Sequence, residues 1–366
     1  MELVHTVLSF VVVLSVIVFI HELGHYLAAR LCGVRIEEFS IGFGKEIFGF
    51  NDRHGTRWKF SLLPMGGYVK MFGDETEAST PNTEKLEEMS AEDKAVSFHY
   101  KSLPRKAVIV TAGPAANFIL TIAIFTWSIF TTGLALTEPV IGDIMKGTPA
   151  QAAGLHSGDR VLSIDGISVE HFSDIPRLIA TNTGTEVLVA IERGKEQMTI
   201  PVTPELRQED DMFGNKITRP LLGFVSQKLT YEEVGFFPAI GEAVTRTWDI
   251  SVMTFEYLGQ LISGKRGANE LKGPVGIAQL SGQATEKGFD TVLWFIAMLS
   301  ANLGLINLFP IPPLDGGHLM YYTLEGLRGR PLAQKFQEWG FRAGFALLLT
   351  LMAFVTFNDI KQIVLS

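Results

Sequence analysis

The chain has 366 residues, of which 47% are hydrophobic and only 19% charged, whereas a soluble chain carries about a quarter charged residues. A formal net charge of -8 argues against a nucleic-acid partner, because phosphate binding needs a basic surface. The single cysteine, Cys32, excludes an intrachain disulfide and a cysteine-based metal site.

Taken in chain order, Leu3 to Ile20 is an apolar run that passes directly into His21-Glu22-Leu23-Gly24-His25. No Lys or Arg precedes the run and no small-residue cleavage site follows it, so it reads as a membrane helix and not as a cleaved leader. A helix from about Leu3 to Leu31 is roughly 43 Å long, more than the ~30 Å of a hydrocarbon core. The His/Glu cluster therefore falls near one membrane face. Phe39 to Gly44 and Trp58 to Met71 alternate apolar and polar residues with glycines at the turns, which predicts a small hairpin sheet at the end of the first span. Asp74 to Lys94 is acidic, with Ser, Thr and Pro, and reads as a loop. A second span runs from about Ala107 to Leu136 and opens with the small residues Gly113-Pro114-Ala115-Ala116-Asn117. They suit close packing on the first span. Asn117 is either a packing residue or a neighbour of the His/Glu cluster.

Residues 138–204 read as strands and turns, and GTPAQAAGLHSGDRVLSIDGISV closely resembles bacterial PDZ domains, which take an extended peptide onto a sheet edge. The other reading of this insert is a plain β-rich spacer. Val234 to Ile262 has helical apolar spacing with Phe236, Phe237, Trp248 and Phe255, as an interfacial helix would. Leu271 to Ala278 is expected to be a loop. A third span covers about Leu293 to Phe309 and a fourth about Gly340 to Phe357, with Trp294 and Trp339 near their starts as interfacial anchors. Arg30, Arg35, Lys101, Arg105 and Lys106 flank the loop between spans one and two, and Arg328, Arg330, Lys335 and Arg342 fill that between spans three and four. This bias makes both loops cytoplasmic and places the insert and both termini on the other side.

The chemistry concentrates at His21-Glu22-Leu23-Gly24-His25. Residues four apart on a helix share a face, so both imidazoles can reach one cation. Zinc accepts nitrogen ligands at about 2.0–2.1 Å and acidifies water, from which Glu22, one step around the helix, can take a proton. A polar surface turn is the bland alternative, but ionisable groups at bilayer depth are costly and usually functional. Catalytic zinc ordinarily has three protein ligands. The third span ends Asn307-Leu308-Phe309-Pro310-Ile311-Pro312-Pro313-Leu314-Asp315-Gly316-Gly317-His318, and its direction returns Asp315 to the face that holds the histidines. Asp315 is the expected third ligand, against a role as helix cap. His318 is a competing ligand or a supporting group. Asn307 is a candidate for holding the substrate or its transition state, against a helix-packing hydrogen bond.

These segments together, with FSIGFG, LLPMGGYVKM, AGPAANF, LKGPVGIA and NLFPIPPLDGG, resemble bacterial site-2 proteases of the RseP-like branch over nearly the whole chain. The resemblance implies a polytopic α-helical protein of the bacterial inner membrane with about four transmembrane helices, a membrane-associated cytoplasmic β-hairpin region and an inserted, mainly-β PDZ domain. It implies an intramembrane zinc metalloprotease with Zn2+ on His21, His25 and Asp315 and with Glu22 as base. Its substrates would be single-span membrane proteins, anti-sigma-factor-like proteins or remnant signal peptides. Other partners would be the lipid bilayer and a peptide ligand at the PDZ domain. One departure from the branch is that a single PDZ domain is found where its best-known members carry two. The domain reading is 1–136, membrane part with the HExxH helix; 137–205, PDZ; 206–291, linker and interfacial helix; and 292–366, membrane part with the Leu314-Asp315-Gly316 motif. Two rival functions are a membrane-anchored zinc protease of soluble or misfolded proteins, and a non-catalytic PDZ scaffold.

Overall fold

The computed structural model describes residues 2–74, 88–136, 138–180, 182, 184–210, 216–226, 230–264 and 271–365. The chain divides into two compact units, Met1–Ile124 with Leu271–Ser366, and Phe125–Glu270. Among the described residues four helices are long and apolar enough to cross a membrane: Glu2–Leu31, Leu103–Thr132, Phe289–Asn307 and Lys335–Gln362. Each overlaps one of the four spans expected from the apolar runs, since such a run can satisfy its backbone in lipid only as a helix.

In the first unit α1 (Glu2–Leu31) leads into β1 (Ile36–Asn51) and β2 (Arg57–Met71). Ile36–Ile41 pairs with Gly67–Met71 and also with Arg57–Phe60, while Glu46–Asn51 pairs with Arg57–Ser61. The two long strands thus fold into a four-segment sheet in which Gly67–Met71 is an outer edge. Aromatic packing fastens this sheet to α1. The Tyr26 ring meets Phe39 and Trp58 edge-on, with centroids 5.8 and 5.1 Å away, and its hydroxyl donates to Asp52 Oδ2 at 2.9 Å. Ile47, Phe48, Phe60, Leu62 and Leu63 of this sheet are exposed. The stretch expected to be an acidic loop ends in a short helix, α2 (Ala91–Val96), whose cap is the Ser90 hydroxyl accepting the Asp93 N–H. Residues 75–87 of that expectation lie outside the described residues. The next helix, α3 (Leu103–Thr132), crosses α1 closely at Gly24, where a Cβ would lie 2.2 Å from the Ala112 carbonyl oxygen.

The second unit holds β3 (Ile141–Ile144), α4 (Pro149–Ala152), β4 (Arg160–Ile164), β5 (Ile167–Ser168), α5 (Asp174–Ile179), β6 (Val187–Arg193) and β7 (Glu196–Val202). Its four-stranded sheet has the order β5-β4-β6-β7. Beyond it, β8 (Glu205–Asp210) pairs with β9 (Lys216–Leu221), and β10 (Phe224–Ser226) pairs with β3. The core joins Ile141, Leu155, Val161, Val189 and Ile191 to Leu222 and Phe224. This corrects the expected end at 205: the packed body continues to Ser226, because the last strand returns to pair with the first. The long helix α6 (Phe236–Ile262) follows, burying Ala239, Ala243 and Thr247 and exposing Phe237, Trp248 and Phe255.

The chain then re-enters the first unit. The expected loop over Leu271–Ala278 is instead largely the start of a helix, α7 (Pro274–Glu286). The Gly273 and Gly276 N–H groups donate to the buried carboxylate of Asp359, at 3.1 and 2.8 Å. That carboxylate satisfies a helix N-terminus from a distant part of the chain. The remaining helices are α8 (Phe289–Asn307), α9 (Asp315–Arg328) and α10 (Gln334–Leu365). α8 is stitched to α3 by the buried Ser300 and Thr121 hydroxyls, which donate to the Asn117 and Ala297 carbonyls, each at 3.0 Å.

Candidate metal centre

His21 and His25 lie on the buried face of α1, in its C-terminal half, and Asp315 opens α9 after the Pro-rich break. A donor atom from each lies within 4.8 Å of the other two. His21 Nε2 is 3.2 Å from His25 Nε2 and 3.2 Å from Asp315 Oδ2, and His25 Nε2 is 3.5 Å from Asp315 Oδ1. Ligands at about 2.0–2.1 Å around a tetrahedral ion stand about 3.3 Å apart, so these spacings match the edges of a zinc polyhedron.

The outer ring atoms say the same. His25 Nδ1–H donates to the Ile109 carbonyl at 2.9 Å, which leaves the Nε2 lone pair free for a cation. The Asn117 side chain, fully buried, lies with Nδ2 3.2 Å from His21 Nδ1, and its Oδ1 has no partner. Turning the amide puts that oxygen on His21 Nδ1–H and frees the second Nε2 lone pair. Two lone pairs and a carboxylate then converge on one point, which a cation resolves and an empty apolar pocket does not. Burial pushes the Asp315 carboxyl up, but the His25 and His21 imidazoles outweigh it and hold this group well below the usual carboxylate range. The space for His25 is made by Gly113, where any Cβ would come within 2.2 Å of Nε2.

Glu22 lines the same cavity of about 630 Å3, together with Asn307 and His318. All five residues expected at the site therefore meet in one unit. Asn307 Nδ2 stands 3.3 Å from His21 Nε2, so its amide points at the triad and not into helix packing. His318 lines the cavity without joining the cluster of donors. Burial lowers its pKa, which keeps the ring neutral. Asn117 is the partner that the sequence left open. Its signal was a polar amide among small residues at the start of a span. The edge segment Gly66–Val69 also borders the cavity, and a Cβ on Gly67 would be 3.0 Å from Glu22 Cγ.

Comparison with known proteins adds an independent line. The profile of Peptidase family M50 matches residues 9–351. A protein of Agrobacterium fabrum named as a zinc metalloprotease is 42% identical over 98% of this chain and 96% of its own length. One of Rhizobium meliloti, named likewise, is 42% identical over 98% and 97%. Metalloprotease MmpA of Caulobacter vibrioides is 37% identical over 97% and 95%.

Proposed function

The chain belongs to peptidase family M50 and is a zinc metalloendopeptidase, and we propose that it cuts peptide bonds inside the membrane segments of other proteins. The observation that carries this reading is the convergence of His21, His25 and Asp315 beside Glu22, within a unit built on helices long enough to span a bilayer. His21, His25 and Asp315 would hold a zinc ion, which would supply the Lewis acidity that polarises a carbonyl and acidifies water. Glu22 takes a proton from the attacking water and delivers it to the amide nitrogen as the C–N bond breaks. Asn117 and the Ile109 carbonyl hold the imidazoles in the tautomer that presents Nε2. A helical peptide bond is shielded by its own hydrogen bonds, so the substrate must be extended before attack. The outer edge Gly67–Met71, bordering the cavity, supplies the replacement backbone partners.

The substrates in this reading are single-span membrane proteins, of the anti-sigma-factor or remnant-signal-peptide kind. The exposed apolar residues of the hairpin and of α6 contact lipid, and the 138–226 insert takes a peptide or limits which substrates approach. The Lys/Arg bias puts the metal centre near the cytoplasmic face of the inner membrane and the insert outside. A protease of soluble proteins would draw metal donors from a soluble domain, and all of those found here come from the helical unit. A scaffold would have lost one of the four residues, and none is lost.

The test is Glu22→Gln. The variant should keep about one zinc per chain, measured by mass spectrometry of the metal, and lose cleavage of a transmembrane peptide by roughly 100-fold or more. His25→Ala and Asp315→Ala should lose zinc as well. Full cleavage by rigorously metal-free protein would end the proposal.

A further inference from the structure

We propose that His318 is a further catalytic residue, donating its imidazole N–H to the carbonyl oxygen of the scissile peptide as negative charge builds there. The inference rests on the metalloprotease reading above. His318 sits three residues after Asp315 on α9, so the two side chains project from the same side of that helix. It lines the cavity that also holds Glu22 and Asn307. Among the described residues no group hydrogen-bonds its ring. Its ring neighbour is Tyr322, with centroids 6.3 Å apart.

Beside Asp315, the acid whose charge acts on His318 is the buried Asp74, and both of its oxygens are engaged. One accepts the Met71 N–H at 3.0 Å and the other lies 2.8 Å from His99 Nε2. The charges that act on His318 are Asp315, His25, Asp74 and His99. Those that act on Glu22 are His25, His21 and Asp315, so the base and the imidazole both adjoin the triad. The ring is only part-buried, so its nitrogens are open to the cavity instead of being held by a structural partner. It lines the cavity that the substrate peptide must enter, and no described group takes up its N–H. Burial holds the ring neutral, and a neutral imidazole still donates through one nitrogen. No proton leaves His318. Water oxygen bonds to the carbonyl carbon, the C–N bond breaks, and Glu22 carries the proton to the amine, as above.

A donor aimed at charge that develops only in the transition state should discriminate the transition state from the substrate. The experiment compares wild type, His318→Phe and His318→Gln for zinc content, kcat, KM and the Kd of a phosphinic peptide mimic. It also measures the Kd of the intact peptide in a Glu22→Gln background. We expect His318→Phe to keep full zinc and unchanged KM and intact-peptide affinity, while kcat and phosphinic-peptide affinity each fall roughly 100-fold. His318→Gln, which retains an N–H, should recover part of both. The inference is overturned if the phosphinic and intact peptides weaken equally or not at all, which would make His318 a packing residue. Loss of zinc in His318→Phe overturns it too, because the ring would then be holding the metal centre. A wild type without zinc, or one that does not cleave, would instead bring down the metalloprotease reading itself.

Discussion

At the scale of single residues the site shows two kinds of legibility. His21, Glu22 and His25 could be read from the sequence because their geometry is local: a four-residue spacing on one helix fixes which groups share a face. Asp315 could be read from the direction of a span. The role of Asn117 could not, because it depends on where two helices cross, and the residue is 96 positions from the imidazole it touches. The consequence is testable. Asn117→Leu removes the amide that fixes the His21 tautomer without removing any donor. Zinc should still bind, with an affinity lower by roughly 10- to 100-fold, measured by competition with a chromogenic chelator. Unchanged affinity would mean that the amide serves only the crossing of α3 and α8.

The same division appears among the elements. The hairpin and the spans follow from periodicity and apolar length, signals carried within each segment. The start of α7 was expected to be a loop on family likeness alone, whereas the groups that complete this helix come from Asp359, more than 80 positions away. The edge segment of the hairpin was predicted as a strand, but its closeness to the base was not. Gly67 has Ser40 O at 2.7 Å and Glu22 Cγ at 3.0 Å from the place a Cβ would occupy. Gly67→Val must therefore push Glu22 or the edge itself aside while all three metal donors stay in place. A displacement of the order of 1 Å costs about 100-fold in rate. The expected outcome is normal zinc content with cleavage lowered to that extent, read in a purified assay. Wild-type cleavage would remove Gly67–Met71 from the neighbourhood of the reacting peptide.

For the whole molecule, four apolar runs sufficed to lay out the helical unit, but the limit of the insert could not be read. Leu222 and Phe224 come back to the core after a strand pair that looks like linker in sequence. Orientation follows from the Lys/Arg bias, and in a Cys32→Ser background it predicts that Arg330→Cys is labelled by an impermeant thiol reagent only from the cytoplasm and Lys195→Cys only from outside. Reversed labelling would put the metal centre at the wrong face. The insert supplies none of the metal donors, and in that orientation we propose that it acts by excluding substrates with a bulky outer domain. Deleting 138–226, the full packed body, and bridging the gap with a flexible linker should leave cleavage of a short, trimmed substrate intact and raise that of an untrimmed one. Deleting only 138–204 strips the core from Leu222 and Phe224 and should lower expression, because two large apolar side chains lose their burial. The deciding quantity is the ratio of the two cleavage rates in liposomes at matched zinc content. If the longer deletion abolished cleavage of the trimmed substrate while zinc stayed bound, the insert would be a receptor that substrates require, and exclusion would fail as its role.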